Sequence, residues 1–151
     1  MRSLTYSSLL IIILCSCQGS KVEYYLENRL DQSITLELFM YSDNPASSQT
    51  RSGILNLTEM EVFALGQEKA STENNSEVSL ASRLAQVVDL HRIDSLIIRF
   101  EDNTSTTLTI NERDSDELNP YHDDCCNVLR VDKNESRIFY IIDQRHLSRA
   151  R

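Results

Sequence analysis

The segment SITLELFMY, residues 33–41, decides the fold class. Large apolar side chains occupy every second position from Ile34 to Met40, and polar or aromatic residues fill the positions between them. Alternation with a period of two, together with β-branched and aromatic residues, is typical of a strand with one buried face. The segment therefore predicts a β-strand that packs one face on a core.

The segment before it has the same alternation. Residues 22–28 read VEYYLEN, with Val22, Tyr24 and Leu26 on one face. Residues 28–32 between the two runs supply turn chemistry through Asn28 and Asp31. We expect the two strands to pair as an antiparallel hairpin.

The rest of the chain repeats this pattern of short strands. Apolar runs separated by polar turns predict further strands over 94–101, 106–110, 127–131 and 136–143. Residues 53–57 and 60–65 predict either two short strands or one bent strand. Apolar residues at helical spacing predict one helix between Leu80 and His91, after a polar surface loop over 67–77. The fold class predicted is all-β: a single β-sandwich-like domain of about seven to eight short antiparallel strands with at most one short helix, or a small barrel. We assign the domain to residues 22–145 and a frayed basic tail to 146–151.

The N-terminal residues have the composition of an export signal. Arg2 precedes a short apolar run, which ends in the small residues Cys15, Ser16 and Cys17. A basic start, a short apolar middle and a small-residue end are typical of a signal peptide. The end of the run resembles the bacterial lipobox, which implies cleavage after residue 16 and lipid attachment at Cys17. Residues 17–21 would then form the lipidated cysteine and a flexible tether.

Loose motifs along the chain resemble small Bacteroidota-type lipoproteins of unknown function. These carry a strand ending in Asn near the anchor (here 24–28), a strand opening Asp-Ser and ending in Phe (94–102), and a last strand with aromatic and acidic residues (139–143). The resemblance implies a lipid-anchored protein of the bacterial cell envelope, in the outer membrane, with the periplasmic or surface leaflet left open. It carries no catalytic residues.

Composition excludes several classes of function. Fifteen Lys and Arg against 23 Asp and Glu give a formal net charge of −8, which repels a phosphate backbone and argues against nucleic-acid binding. Only 3 Gly are present, which argues against a glycine-rich phosphate loop. We expect no cofactor.

The loop from His122 to Cys126 is the most reactive stretch. It contains imidazole, carboxylate and thiol groups, but the spacing does not fit a known zinc site, and we expect no metal. Cys125 and Cys126 are adjacent, so a vicinal disulfide, two packed thiols and a bond to another chain all remain open. A small envelope hydrolase or a thiol-redox protein that uses this loop is the alternative function.

Aromatic residues of the first two strands suggest a ligand patch. Tyr25, Phe39 and Tyr41 would share one face of the expected hairpin, where they form either a binding patch or part of the core. The tripeptide Asp94-Ser95-Leu96 resembles an O-glycosylation site of some Bacteroidota, and we interpret Ser95 as a structural residue. The function expected is that of a non-enzymatic lipoprotein, a binding or structural module that contacts the membrane through its lipid and an envelope protein or glycan through the domain.

Overall fold

The structure is a computed structural model that describes residues 20–41, 50–70, 80–112, 117–122, 125–132 and 134–151. It contains eight strands, two α-helices and one 3-10 turn. In chain order these are β1 (Ser20–Asn28), β2 (Ile34–Met40), β3 (Arg51–Leu57), β4 (Val62–Ala70), α1 (Leu80–Val87), β5 (Ser95–Phe100), β6 (Ser105–Thr109), the 3-10 turn (Ile110–Glu112), β7 (Asn127–Arg130), β8 (Glu135–Ile142) and α2 (Gln144–Leu147).

The strands form two four-stranded sheets that pack face to face. Sheet A has the order β4-β1-β8-β7, and sheet B has the order β3-β2-β5-β6. Alternate residues of both sheets point into one shared core, for example Tyr24 and Leu26 from sheet A and Leu36 and Leu38 from sheet B. The predicted all-β sandwich is confirmed.

Pairing within the sheets corrects two details of the prediction. All of the pairs are antiparallel except β1 and β8, which run parallel. The expected hairpin between β1 and β2 is wrong, because β1 pairs with β4 and β8 while β2 pairs with β3 and β5. Both strands still bury the residues that alternation predicted, since they face the same core from opposite sheets.

Two short links carry the chain between the sheets at one end of the sandwich. Residues 29–33 lead from β1 to β2, and residues 58–61 lead from β3 back to β4. The fully buried Asn28 joins the links, because its side-chain amide donates to the carbonyls of Gln32 and Thr58 at 2.8 Å each. Its side-chain oxygen accepts from the backbone of Leu30 at 3.1 Å.

Helix α1 closes one side of the core. It buries Leu80, Ala81, Leu84 and Ala85 and ends in a left-handed residue, Asp89, with φ 57°. The amide of Leu90 then donates to the carbonyl of Ala85 at 2.8 Å, which satisfies a terminal carbonyl of the helix. The predicted helix is therefore confirmed at its start and ends before His91.

Strand β4 is longer than predicted. Its pairing with β1 shifts register between Tyr24 and Tyr25, opposite Gly66, whose φ of 121° suits glycine. The strand therefore passes through Gly66, where the sequence suggested an end, and reaches Ala70. Residues 71–77 of the predicted loop lie outside the described residues.

The C-terminal residues are ordered, which corrects the predicted frayed tail. Asp143 caps α2, a second helix that the sequence analysis missed, and His146 is 1% exposed. Arg151 exchanges two backbone hydrogen bonds with Ser105 of β6, at 3.1 and 3.2 Å. At the other end, Ser20 and Lys21 belong to β1, so the predicted tether is shorter by two residues.

Candidate functional site

The predicted aromatic patch is not assembled. Tyr25 lies on the outer face of sheet A, because its neighbours Tyr24 and Leu26 are buried. Phe39 lies on the outer face of sheet B, and Tyr41 follows β2 and is 53% exposed. The patch depended on a β1–β2 hairpin, and without that pairing Tyr25 is separated from the other two residues.

Tyr25 instead stacks on Phe139. The two residues are partners in the parallel pair of β1 and β8, and their ring centroids lie 4.9 Å apart with an angle of 15° between the planes. Offset stacking of this kind stabilises an aromatic pair beyond its area burial. The pair forms an apolar ridge on the outer face of sheet A.

A groove of about 440 Å³ opens beside this ridge. Strands β1, β8 and β7 each contribute to it, so it crosses three strands of sheet A. Its lining residues are Glu27, Arg29, Asn127, Val128, Leu129, Phe139 and Ile141. Ligand sites are concave and largely apolar with a few polar groups, and this groove has that composition.

Charged pairs border the groove and the ridge. At one wall, the guanidinium of Arg29 donates to both carboxylate oxygens of Glu27, at 2.8 and 2.9 Å. Beyond the ridge, Glu23 accepts from Lys21, Tyr25 and Arg137, and these hydrogen bonds lower the pKa of Glu23 to about 2. Because each carboxylate has a cationic partner, the groove offers an apolar floor with a locally neutral border.

The groove reaches the edge of sheet A at β7. This strand is last in the sheet order and pairs only with β8 among the described residues. Val128 is 65% exposed and Leu129 is 54% exposed. An edge strand presents unpaired backbone N–H and C=O groups, with which another chain can pair.

The cysteines lie directly before β7. The structure links Cys125 and Cys126 as a disulfide between neighbouring residues. Cys125 is partly buried against the core, and its sulfur lies 3.8 Å from the carbonyl oxygen of Pro120. Its backbone amide donates to the carbonyl of His122 at 3.1 Å. The disulfide therefore constrains the backbone immediately before the strand that lines the groove.

The segment that leads into the predicted reactive loop is built into the fold. Leu118, Asn119 and Pro120 are buried, and the Asn119 side chain donates to the carbonyl of Thr109 and accepts from the backbone of Tyr121. The backbone amide of His122, the first residue of the loop, donates to the carbonyl of Asn119 at 2.9 Å. Burial raises the pKa of Tyr121, and the nearby charge of Asp94 adds to the effect. Asp123 and Asp124 lie outside the described residues. In the described part of the chain, no three His, Cys, Asp or Glu side chains group as metal ligands.

Ser95 is enclosed at the start of β5. It is 3% exposed, and its hydroxyl lies 3.3 Å from that of Tyr41. The preceding Asp94 accepts from the backbone of Tyr41 at 2.8 Å and pairs with Arg92. The Asp-Ser-Leu tripeptide thus ties the ends of two neighbouring strands together, and the hydroxyl is not presented for modification in the folded domain.

A buried polar cluster around His146 was not predicted from the sequence. The ring of His146 lies 3.3 Å from the Tyr140 hydroxyl, accepts from the backbone of Asp143, and lies 3.5 Å from the Asp143 carboxylate. The Tyr140 hydroxyl donates to the carbonyl of Leu118 at 2.7 Å. Since His146 and Tyr140 are about 1% exposed, the cluster is a buried network that docks α2. Asp143 and His146 are three residues apart, which is the spacing of a helix capping box. This spacing is the sequence feature that could have predicted α2.

Comparison with known proteins identifies no family for this chain. No protein-family model matches this chain, and neither a curated protein nor a solved structure matches it. Among the described residues, no helix is long and apolar enough to cross a membrane.

Proposed function

We propose that this protein is a non-enzymatic binding module of the bacterial cell envelope, anchored in the outer membrane by lipid at Cys17. Its partner is an envelope protein or glycan, which binds the outer face of sheet A. The observation that carries the proposal is the groove beside the Tyr25–Phe139 stack. It combines an apolar floor, neutralised charges and an open strand edge.

The position of β1 is consistent with an anchor at Cys17. Only Gln18 and Gly19 separate that cysteine from Ser20, where β1 begins. The groove includes Glu27 and Arg29, at the opposite end of β1. A strand of nine residues is roughly 27 Å long. The groove therefore lies near the end of β1 that is distant from the anchor.

Two measurements test the anchor and the binding site separately. The intact mass of the protein from native membranes should begin at Cys17 and include acyl groups. A photo-crosslinking residue at Leu129 should then capture a partner saturably in intact envelopes, whereas the same residue at Ile54 should not. Ile54 is a matched control, because it is also an exposed aliphatic residue on an edge strand, 63% exposed on β3. An unlipidated mass contradicts the anchor, and equal capture at both positions contradicts the binding site.

The Cys125–Cys126 disulfide favours a second candidate, a thiol-redox protein that uses the loop from His122 to Cys126. In that function, a reduced dithiol protein would donate two electrons and two protons to the disulfide, which yields two thiols here and a disulfide in the donor. We expect such exchange to be measurable with a small dithiol as the donor. Loss of turnover in Cys125→Ser supports this candidate, and binding at the groove that is unaffected by the same change separates it from the first.

A further inference from the structure

The edges of the two sheets are protected unequally. In sheet B, β6 exchanges backbone hydrogen bonds with Arg151. In sheet A, the bulge at Gly66 interrupts β4. Coverage, bulges and shortness of the strand are among the devices by which proteins limit pairing of strand edges with other chains, and β7 has only the last, with four residues. In the described part of the chain, β3 and β7 are neither covered nor bulged, and of these two edge strands only β7 borders the groove.

Successive residues of β8 direct their backbone N–H and C=O groups alternately toward β1 and toward β7. This alternation shows which backbone groups of β7 face outward. Arg29 donates to the carbonyl of Ile142, so the even-numbered residues of β8 bond to β1 and the odd-numbered residues face β7. The backbone N–H of Val131 donates to the carbonyl of Glu135 at 2.9 Å, which fits the same alternation. Asn127 and Leu129, opposite Phe139 and Arg137, therefore bond to β8. The backbone N–H and C=O of Val128 and Arg130 point away from the sheet.

This edge offers both parts of a strand-addition site. The outward backbone groups of Val128 and Arg130 can pair with an extended chain, and exposed side chains at Val128, Leu129 and Val131 (65, 54 and 47%) supply apolar contacts. The groove opens beside Leu129, where alternate side chains of an added strand would lie. A groove of about 440 Å³ has room for a large apolar side chain.

We propose that β7 binds an extended, apolar and neutral or basic segment of a partner polypeptide, which adds as a fifth strand to sheet A. This inference rests on the proposed binding function and names its partner class. Backbone recognition favours a polypeptide over a glycan, because only a polypeptide presents alternating amide donors and carbonyl acceptors at strand spacing.

Size and charge argue against a second copy of this chain as the main occupant. A stable interface buries about 800 Å² per partner. A four-residue strand with three half-exposed aliphatic side chains supplies only part of that area. Two copies would also each bring a net charge of −8, whereas a basic segment is attracted by that field.

The test uses a fluorescent octapeptide that alternates valine with threonine and has a lysine at each end. We expect saturable binding to the full chain in the micromolar range, which weakens as salt is raised. The same peptide with N-methyl groups on alternate amides keeps its side chains but cannot form one row of hydrogen bonds. We expect it to bind at least tenfold more weakly.

A matched pair of protein variants tests the same edge from the other side. Val128→Pro removes an N–H that points away from β8, and proline is tolerated on such edges. We expect the variant to keep the melting temperature and to lose binding at least tenfold. Val128→Thr keeps the N–H and should bind within about threefold of the wild type.

Several outcomes overturn the inference. These are no octapeptide binding up to millimolar concentration, equal binding of the N-methylated peptide, and unchanged binding to a folded Val128→Pro variant. If Leu129 still captures a native partner in envelopes while the peptide does not bind, the proposed function stands and the partner is a glycan or a folded surface. Concentration-dependent dimerisation that Val128→Pro abolishes would instead assign the edge to a second copy.

Discussion

At the scale of single residues, Asn28 is the strongest polar constraint on the fold. Its side chain forms three hydrogen bonds to backbone groups of the two links that cross between the sheets. Asn28→Ala leaves two carbonyls and one amide without these partners, and each unsatisfied buried group costs about 1–3 kcal/mol. We expect the free energy of unfolding to fall by about 2–4 kcal/mol, allowing for partial access of water to the links.

Urea unfolding followed by circular dichroism measures this loss. Asn56→Ala is the control, because Asn56 is exposed and its side chain accepts only from the Thr35 hydroxyl among the contacts that the structure gives it. That change should cost less than about 0.5 kcal/mol. Equal losses for the two variants would show that the crossing links do not depend on Asn28.

His146 should make stability depend on pH. Burial lowers its pKa below the ordinary value, and the Asp143 carboxylate opposes the effect only in part. As pH falls, His146 is protonated at a higher pH in the unfolded chain than in the folded protein. The stability contributed by neutral His146 is therefore fully present above about pH 6.5 and declines as pH falls below that value. The melting temperature of the wild type should therefore drop between pH 7.5 and 5.

A variant isolates this contribution from that of other groups. His146→Gln removes the titrating ring, so its melting temperature should change less over the same pH range, although it starts lower. His91→Gln serves as the control, since His91 is exposed. If His146→Gln keeps the full pH dependence of the wild type, the protonation of another group is responsible.

At the scale of elements, the contact between α1 and sheet B depends on the absence of a side chain. A Cβ atom added at Gly53 would lie 2.3 Å from the Cβ of Val88. Gly53→Ala must therefore displace the residue that follows α1, and overpacking of this kind costs about 1–3 kcal/mol. Val88→Gly removes the clashing atom, so the double variant should lose less stability than the sum of the two single changes. Strict additivity in a thermal-unfolding cycle would contradict the contact.

The disulfide before β7 should govern thiol accessibility. We expect the denatured, unreduced protein to show no maleimide labelling at Cys125 and Cys126, and labelling of both after reduction. The mass should rise by about two hydrogens on reduction, without dissociation of the chain. Labelling of both residues before reduction would assign them as packed thiols, and a mass that halves on reduction would assign a bond to another chain.

Alternation revealed which residues of each strand are buried, but not which strands are neighbours. Ile34 to Met40 and Val22 to Leu26 face the core as expected, because burial follows from local periodicity. Pairing depends on contacts between distant residues, such as Tyr25 with Phe139, and no local pattern contains these. The predicted patch failed for that reason, whereas the strands predicted over 94–101 and 106–110 are neighbours in sequence and do pair, as β5 and β6.

At the scale of the whole molecule, lipid at Cys17 would hold the domain against the bilayer. Three residue steps from Cys17 to Ser20 span at most about 11 Å. We expect trypsin to release little of the native domain from vesicles, because Lys21 lies within β1. A twenty-residue linker with one lysine, inserted between Gly19 and Ser20, should allow rapid release, whereas the same linker without lysine should not. Equally fast release of the native domain would contradict a short tether.

The parallel pairing of β1 and β8 sets the order of events during synthesis. Residues 20–28 must wait for residues 135–142 before the centre of sheet A can close. Contacts between such distant residues slow folding. A chain that crosses a membrane N-terminus first would keep β1 unpaired on one side until almost all of it has emerged. Unpaired strands are prone to aggregation, so we expect the yield of folded protein to rise when a chaperone protects the nascent chain.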